Sequence, residues 1–154
     1  MADAPHVLIV EARYYEDIAD TLVRGAITEV DAVGGTHERA AVPGVFEITA
    51  AIRFAIKSME LVGMRRRIDA YIALGCVIRG ETSHYDLICR ESLRGLGEIS
   101  TQYTLALGMG ILTCETHEQA LERAAVDKRN KGGEAARTAL RMVDLKREFG
   151  YFPR

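Results

Sequence analysis

Ala70-Tyr71-Ile72-Ala73-Leu74-Gly75-Cys76-Val77-Ile78 is the stretch that decides the fold. The run is almost uninterruptedly apolar, bounded on both sides by polar residues, and far shorter than a membrane span. It predicts a central strand covered on both faces, the condition met in a parallel sheet sandwiched by helices. Working outward toward the C-terminus, the pattern predicts a helix over residues 83–105 and a strand Met109-Gly110-Ile111-Leu112-Thr113-Cys114. Thr116-His117-Glu118-Gln119 has the form of a capping box opening another helix. Lys131-Gly132-Gly133 breaks the pattern before a last helix carrying Ala136, Leu140, Val143 and Leu145.

Toward the N-terminus, His6-Val7-Leu8-Ile9-Val10 reads as the first strand. Ile18, Leu22, Val23, Ala26, Ile27 and Val30 follow at helical spacing, closed by Gly34-Gly35. Thr36 to Val42 reads as a more polar strand ended by Pro43-Gly44, and Phe46, Ile48, Ile52, Ile56, Met59 and Val62 as a further helix with an uncertain first turn. Arg65-Arg66-Arg67 reads as its solvated C-terminus, where cations complement the helix dipole. Strands alternating with helices imply parallel pairing and a three-layer α/β domain. Ligands of such folds sit beyond the carboxyl ends of the strands, which here directs attention to residues 12–15, 43–48, 79–86 and 113–118.

The 154 residues contain no linker-like or low-complexity run and no internal repeat, so one domain spanning residues 1–154 is expected. Cys76, Cys89 and Cys114 are odd in number, far apart and without a CxxC pair, and read as reduced core residues. No basic, apolar leader and no long apolar window is present, which leads to the expectation of a soluble, cytoplasmic protein. The net charge of −2 gives no global case for nucleic acid or an anionic membrane. Charge is uneven, however: residues 1–60 hold 5 basic and 10 acidic side chains, and residues 61–154 hold 15 and 12.

The sharpest constellation is Arg79-Gly80-Glu81-Thr82-Ser83-His84, between the central strand and the next helix. Glycine permits close approach of the backbone, and the free N–H groups of an incipient helix favour an anion such as phosphate. An ordinary turn capped by Ser83 fits the same residues. No G-x-x-x-x-G-K-[ST] loop occurs. His84, in the first helical turn at the mouth of the sheet, has a side chain suited to proton transfer near neutral pH, although a lone histidine is more often a surface or packing residue. Without an i,i+4 histidine pair or a carboxylate cluster around a histidine, no metal site is expected. Tyr14-Tyr15 and Phe46-Glu47 stand at the ligand end of the sheet. They are open to two readings: rings stacking on a flat heterocycle with Glu47 accepting from sugar-like hydroxyls, or aromatics closing the core with Glu47 in solvent. Arg123 and Lys131 are equally ambiguous.

Taken together, the segments resemble the lumazine synthase family over nearly the whole chain. Glu11-Ala12-Arg13-Tyr14-Tyr15 is similar to the family's S-R-F-N segment, and Val42-Pro43-Gly44-Val45-Phe46-Glu47-Ile48 to its V-P-G-[SA]-[WF]-E-I-P. Gly75-Cys76-Val77-Ile78-Arg79-Gly80-Glu81-Thr82-Ser83-His84-Tyr85 resembles G-x-V-I-R-G-x-T-x-H-[FY], the most specific match. Gly110-Ile111-Leu112-Thr113, Glu118-Gln119-Ala120 with Arg123-Ala124, and Asn130-Lys131-Gly132 with Glu134-Ala135-Ala136 follow in the family's order and spacing.

The resemblance implies a flavodoxin-like fold on a four-stranded parallel sheet, pentamers with sites between adjacent subunits, and no cofactor. It further implies condensation of 5-amino-6-(D-ribitylamino)uracil with 3,4-dihydroxy-2-butanone 4-phosphate, the penultimate step of riboflavin biosynthesis. By the same resemblance Tyr14 and Phe46 flank the pyrimidine and Glu47 holds the ribityl chain. Val45, Cys76, Val77, Ile78 and Met109 line the substrate site. The backbone at Gly80, Glu81 and Thr82, with Arg123 of the next subunit, receives the phosphate. His84 moves protons, oriented by Glu134, and Lys131 adds positive charge. Val45, Thr49, Met109 and Asp127 depart from the family's usual residues. A flavin- or lumazine-binding protein on the same scaffold is the competing expectation. Only five residues precede the first strand, which leans toward a ring that stays a pentamer.

Overall fold

The computed structural model describes residues 3–61, 63 and 66–151. In chain order they form β1 (His6–Ala12), α1 (Glu16–Ala32), β2 (Thr36–Val42), a 3-10 turn (Val45–Glu47), α2 (Ile48–Leu61), β3 (Ala70–Ile78), α3 (His84–Gln102), β4 (Leu107–Cys114), α4 (His117–Ala124) and α5 (Lys131–Glu148). The four strands make one parallel sheet in the order β2-β1-β3-β4. Central β1 is buried along its whole length and β3 along most of it, whereas edge strand β2 alternates exposed and half-buried residues. That difference accounts for the apolar reading of β3 and the polar one of β2.

Side chains alternate across the sheet and so feed two cores. Val7 and Ile9 of β1, with Ala70, Ile72 and Leu74 of β3, meet the apolar stripe of α1 (Ile18, Leu22, Ala26, Val30) and the small residues of α4 and α5. Leu8, Val10, Tyr71 and Ala73 face Ile48, Ile52 and Ile56 of α2 and Leu96 and Ile99 of α3. The result is the three-layer α/β sandwich the alternation predicts, flavodoxin-like as the resemblance implies. Because β2 lies on one side of β1 and β3 on the other, the strand order reverses beside β1, and a crevice opens there at the carboxyl ends.

Several local expectations need correction. Gly132 and Gly133 do not break the chain before the last helix; they lie in its first turn, after Asn130, whose side chain accepts from the Gly133 N–H at 3.2 Å. Gly132 is a glycine because α5 crosses α1 too closely for a side chain: a methyl there would collide with the Leu22 carbonyl oxygen. At α4, Thr116 accepts from the Gln119 N–H at 3.2 Å as a capping box requires, but the Gln119 side chain accepts from the N–H of Glu115, one residue before the cap. The first turn left open before α2 is the 3-10 turn, and α2 ends at Leu61, so Arg66 and Arg67 lie in the connection to β3 rather than on a helix. Val62 and Arg65 fall outside the described residues. The helix expected over 83–105 is shorter, His84–Gln102. Cys76 and Cys114 are free and buried, but Cys89 is only half-buried on α3, outside both cores.

Candidate active site

The crevice at the switch point is a cleft of about 470 Å³ built from three loops at the carboxyl ends of the sheet. The β1–α1 loop contributes Tyr14 and Tyr15, and the β2–α2 connection Gly44, Val45, Phe46 and Glu47. The end of β3 and the turn into α3 contribute Cys76, Val77, Ile78, Gly80, Thr82 and His84. Three of the four segments expected at the ligand end of the sheet therefore converge, and the fourth, residues 113–118, is absent from this wall.

Tyr14 is 76% exposed and Phe46 59%. Neither of these two rings closes the core, whereas Glu47 is exposed. Tyr15 is different: it packs against the α1-side core, and its ring meets Tyr14 edge-on at 4.9 Å and 70°. Burial, followed by the neighbouring Tyr14, raises the Tyr15 phenol above its ordinary pKa, so it stays neutral. The floor is apolar. Val45 is buried, filling the space above Gly75, where a methyl would press on its Cγ1 atom and on Ala12. Burial, then proximity to Cys114, pushes the Cys76 thiol up to about 12, which makes it a wall rather than a nucleophile.

The β3–α3 turn is not capped by Ser83, which makes no side-chain cap bond. Thr82 Oγ1 accepts from the His84 N–H at 3.3 Å instead. Gly80 has open space where a side chain would project, and His84 heads α3 exposed at the rim. Arg79 braces this turn from outside: its guanidinium lies 4.2 Å over the Tyr85 ring and pairs with Glu115 at 2.9 Å and Asp86 at 3.2 Å. Glu81, exposed in the same turn, is not part of the wall.

Met109, Arg123, Lys131 and Glu134 are not in this cleft. They line a separate hollow of about 260 Å³ along β4, between α4 and α5. There Lys131 Nζ pairs with Glu134 at 2.8 Å, and Arg123 donates to the Gln119 carbonyl at 3.2 Å. Within one chain Glu134 therefore orients Lys131, and not His84. Asp127 is exposed in the turn between α4 and α5 and lines neither hollow, while Thr49 lies in the first turn of α2 against Gly95 of α3.

Of the lining residues, Tyr15, Gly44 and Tyr85 lie inside the segments the sequence pointed to, without an assigned role in the substrate site, whereas Ile88 lies outside them; Glu11 was given no role at all. Glu11 is 2% exposed, and its carboxylate takes Arg39 in a two-pronged grip at 2.7 Å on each oxygen and Arg13 at 2.7 Å. Burial alone would raise its pKa, but the bonds from Arg39 and Arg13 outweigh burial and hold it below the ordinary value. A lone charge at the end of an apolar strand was the available signal.

Among the described residues no group of three or more His, Cys, Asp or Glu side chains could hold a metal ion, and no helix is long and apolar enough to cross a membrane. The family model described as 6,7-dimethyl-8-ribityllumazine synthase matches residues 4–147. A 6,7-dimethyl-8-ribityllumazine synthase of Bartonella tribocorum is 47% identical over 150 residues, covering 97% of this chain and 95% of its own. The 6,7-dimethyl-8-ribityllumazine synthase 1 of Rhodopseudomonas palustris is 51% identical over 141 residues, 92% and 85% of the two chains. A synthase of the same name from Methylorubrum extorquens is 52% identical over 141 residues, 92% and 80%. Agreement of this extent, on a fold whose switch-point cleft gathers the family's most specific motif, shows that the chain belongs to the 6,7-dimethyl-8-ribityllumazine synthase family of enzymes.

Proposed function

We propose that this chain, folded as one domain and assembled into a cytoplasmic ring of five, condenses 5-amino-6-(D-ribitylamino)uracil with 3,4-dihydroxy-2-butanone 4-phosphate. The products are 6,7-dimethyl-8-ribityllumazine, phosphate and water. The observation that carries this reading is the convergence, in one cleft, of two exposed rings, a carboxylate beside them, a glycine-bearing turn at a helix N-terminus and His84. Tyr14 and Phe46 take the flat pyrimidine between them, and Glu47 accepts from ribityl hydroxyls. The backbone of Gly80, Glu81 and Thr82 presents N–H groups where the start of α3 favours an anion, the place for the phosphate.

The substrate's own amine is the nucleophile, so no lysine adduct, metal or cofactor is required. His84 receives and returns protons as the imine forms and phosphate leaves, and the rest of the acceleration comes from holding two small molecules in register. The phosphate still needs a fixed cation. Arg123 sits in the other hollow of the same chain, and this separation supports a head-to-tail ring in which the β4 hollow of one subunit completes the cleft of the next, bringing Arg123, Lys131, Glu134 and Met109 to it.

The test is to mix the purified protein with both substrates and follow the fluorescent lumazine together with released phosphate. Concurrent, stoichiometric appearance of the two supports the reading. Tight product binding without turnover would leave a lumazine-binding protein in its place.

A further inference from the structure

Tyr14 projects into solvent, yet the residues on either side of it are fixed. Arg13 is held three ways: Nη1 donates to Glu11 at 2.7 Å, Nη2 to Asp20 at 2.6 Å and the backbone N–H to the Val42 carbonyl at 3.0 Å, while Glu11 itself is gripped by Arg39 of β2. The residue before Tyr14 is thereby tied to β1, β2 and α1 at once. After it, Tyr15 is seated on the core with its ring edge against Tyr14, and beyond Tyr15 lies His117 at 6.3 Å, paired with Asp17 at 3.1 Å. None of Glu11, Arg13, Arg39 or Asp20 lines the cleft.

A buried carboxylate gripped by guanidiniums returns little net stability, because desolvation offsets most of the attraction. What such a grip does supply is direction, since the planar fork of Arg39 fixes both oxygens of Glu11 and leaves one of them aimed at Arg13. We propose that Glu11 is a positioning residue for the ring substrate: through Arg13 it sets the loop that presents Tyr14, so that the aromatic face is in place before the ligand arrives. The ordering of that loop is then not charged against binding. The proposal rests on the reading of Tyr14 as a wall for the pyrimidine.

The experiment is steady-state kinetics on the assembled enzyme, with the KM for ribitylaminouracil and for dihydroxybutanone phosphate measured separately. Tyr14→Ala should raise the first by up to about tenfold, the range of one aromatic contact. Glu11→Gln should raise the same KM about threefold to fivefold and leave the second unchanged, and the double variant should be no worse than Tyr14→Ala, because Glu11 acts only through that ring. Asp20→Asn, at an exposed site that the fold tolerates, should give a smaller shift, about twofold, in the same KM; it decides the matter if Glu11→Gln does not fold.

A Glu11→Gln enzyme that raises both KM values equally, or whose effect adds to that of Tyr14→Ala, would overturn the proposal, since a general loosening of the fold gives that result. If Tyr14→Ala weakens the ring substrate while Glu11→Gln and Asp20→Asn leave its KM unchanged, positioning alone is refuted. If Tyr14→Ala itself changes nothing, the assignment of Tyr14 falls, and this proposal with it.

Discussion

At the scale of single residues, the proposed function separates groups in the cleft that would do chemistry from groups that only shape it. Cys76 is the clearest example of the second kind, a thiol kept neutral by burial. His84, exposed at the head of α3, is the residue the proposed function charges with moving protons. His84→Ala should therefore lower kcat by at most about 100-fold, the lower end of general acid–base catalysis, with little change in either KM; an unchanged kcat would remove it from the reaction. Glu11 makes a second, independent prediction. Its pKa lies below the ordinary 4.5 because Arg39 and Arg13 outweigh burial, with Asp20 bonded to the far side of Arg13. The stability it contributes is fully present above the unfolded carboxylate pKa and is lost as the pH falls through the lower folded value. Urea midpoints measured from neutrality down into that acid window should fall more steeply for the native protein than for Glu11→Gln. Parallel curves would mean that the carboxylate is not held as described.

At the scale of elements, two junctions set the geometry of the β4 hollow. The crossing of α1 and α5 is made close by Gly132, where a methyl would meet the Leu22 carbonyl, and that of α5 and β4 by Gly108, where a methyl would meet the Ala135 carbonyl. Neither partner is a flexible side-chain end, so the helices themselves must move. Gly132→Ala should cost about 1–3 kcal/mol or more in urea unfolding, the range for overpacking, against the gain of under 1 kcal/mol expected for Gly to Ala in an unhindered helix. A neutral effect would show that the crossing relaxes freely. Thr116→Ala removes the cap of α4, the helix that carries Arg123, and should cost about 1 kcal/mol.

At the scale of the whole molecule, the separation of His84 from Arg123 is the feature to explain. If subunits meet head to tail and share sites, rings co-assembled from equal amounts of His84→Ala and Arg123→Ala chains contain an intact site at about one quarter of their interfaces, since each junction draws its two residues from different chains. Activity at subsaturating phosphate substrate should rise well above that of either parent. Activity at the parental average, with hybrid rings confirmed by native mass spectrometry, would mean that both residues act from one chain and that the shared-site reading is wrong.

The sequence by itself determined the strand–helix alternation, the all-parallel sheet and the loops that meet at its carboxyl ends, because these follow from local periodicity and from chirality rules that hold for any such chain. Ala70 to Ile78 could be covered on both faces only in this way, and the turn from Arg79 to His84 was legible because glycine and helix-start residues mark it within six positions. Proximity between segments distant in the chain was another matter. That Phe46 and Tyr14 stay exposed, that Gly132 belongs inside a helix, and that Glu11 gathers Arg39 from 28 residues away depend on which surfaces pack together. Periodicity records which face of an element is apolar, but not what that face meets. Only the tertiary structure decided that Arg123 and Lys131 lie apart from His84, since α4 and α5 pack on one face of the sheet and α3 on the other.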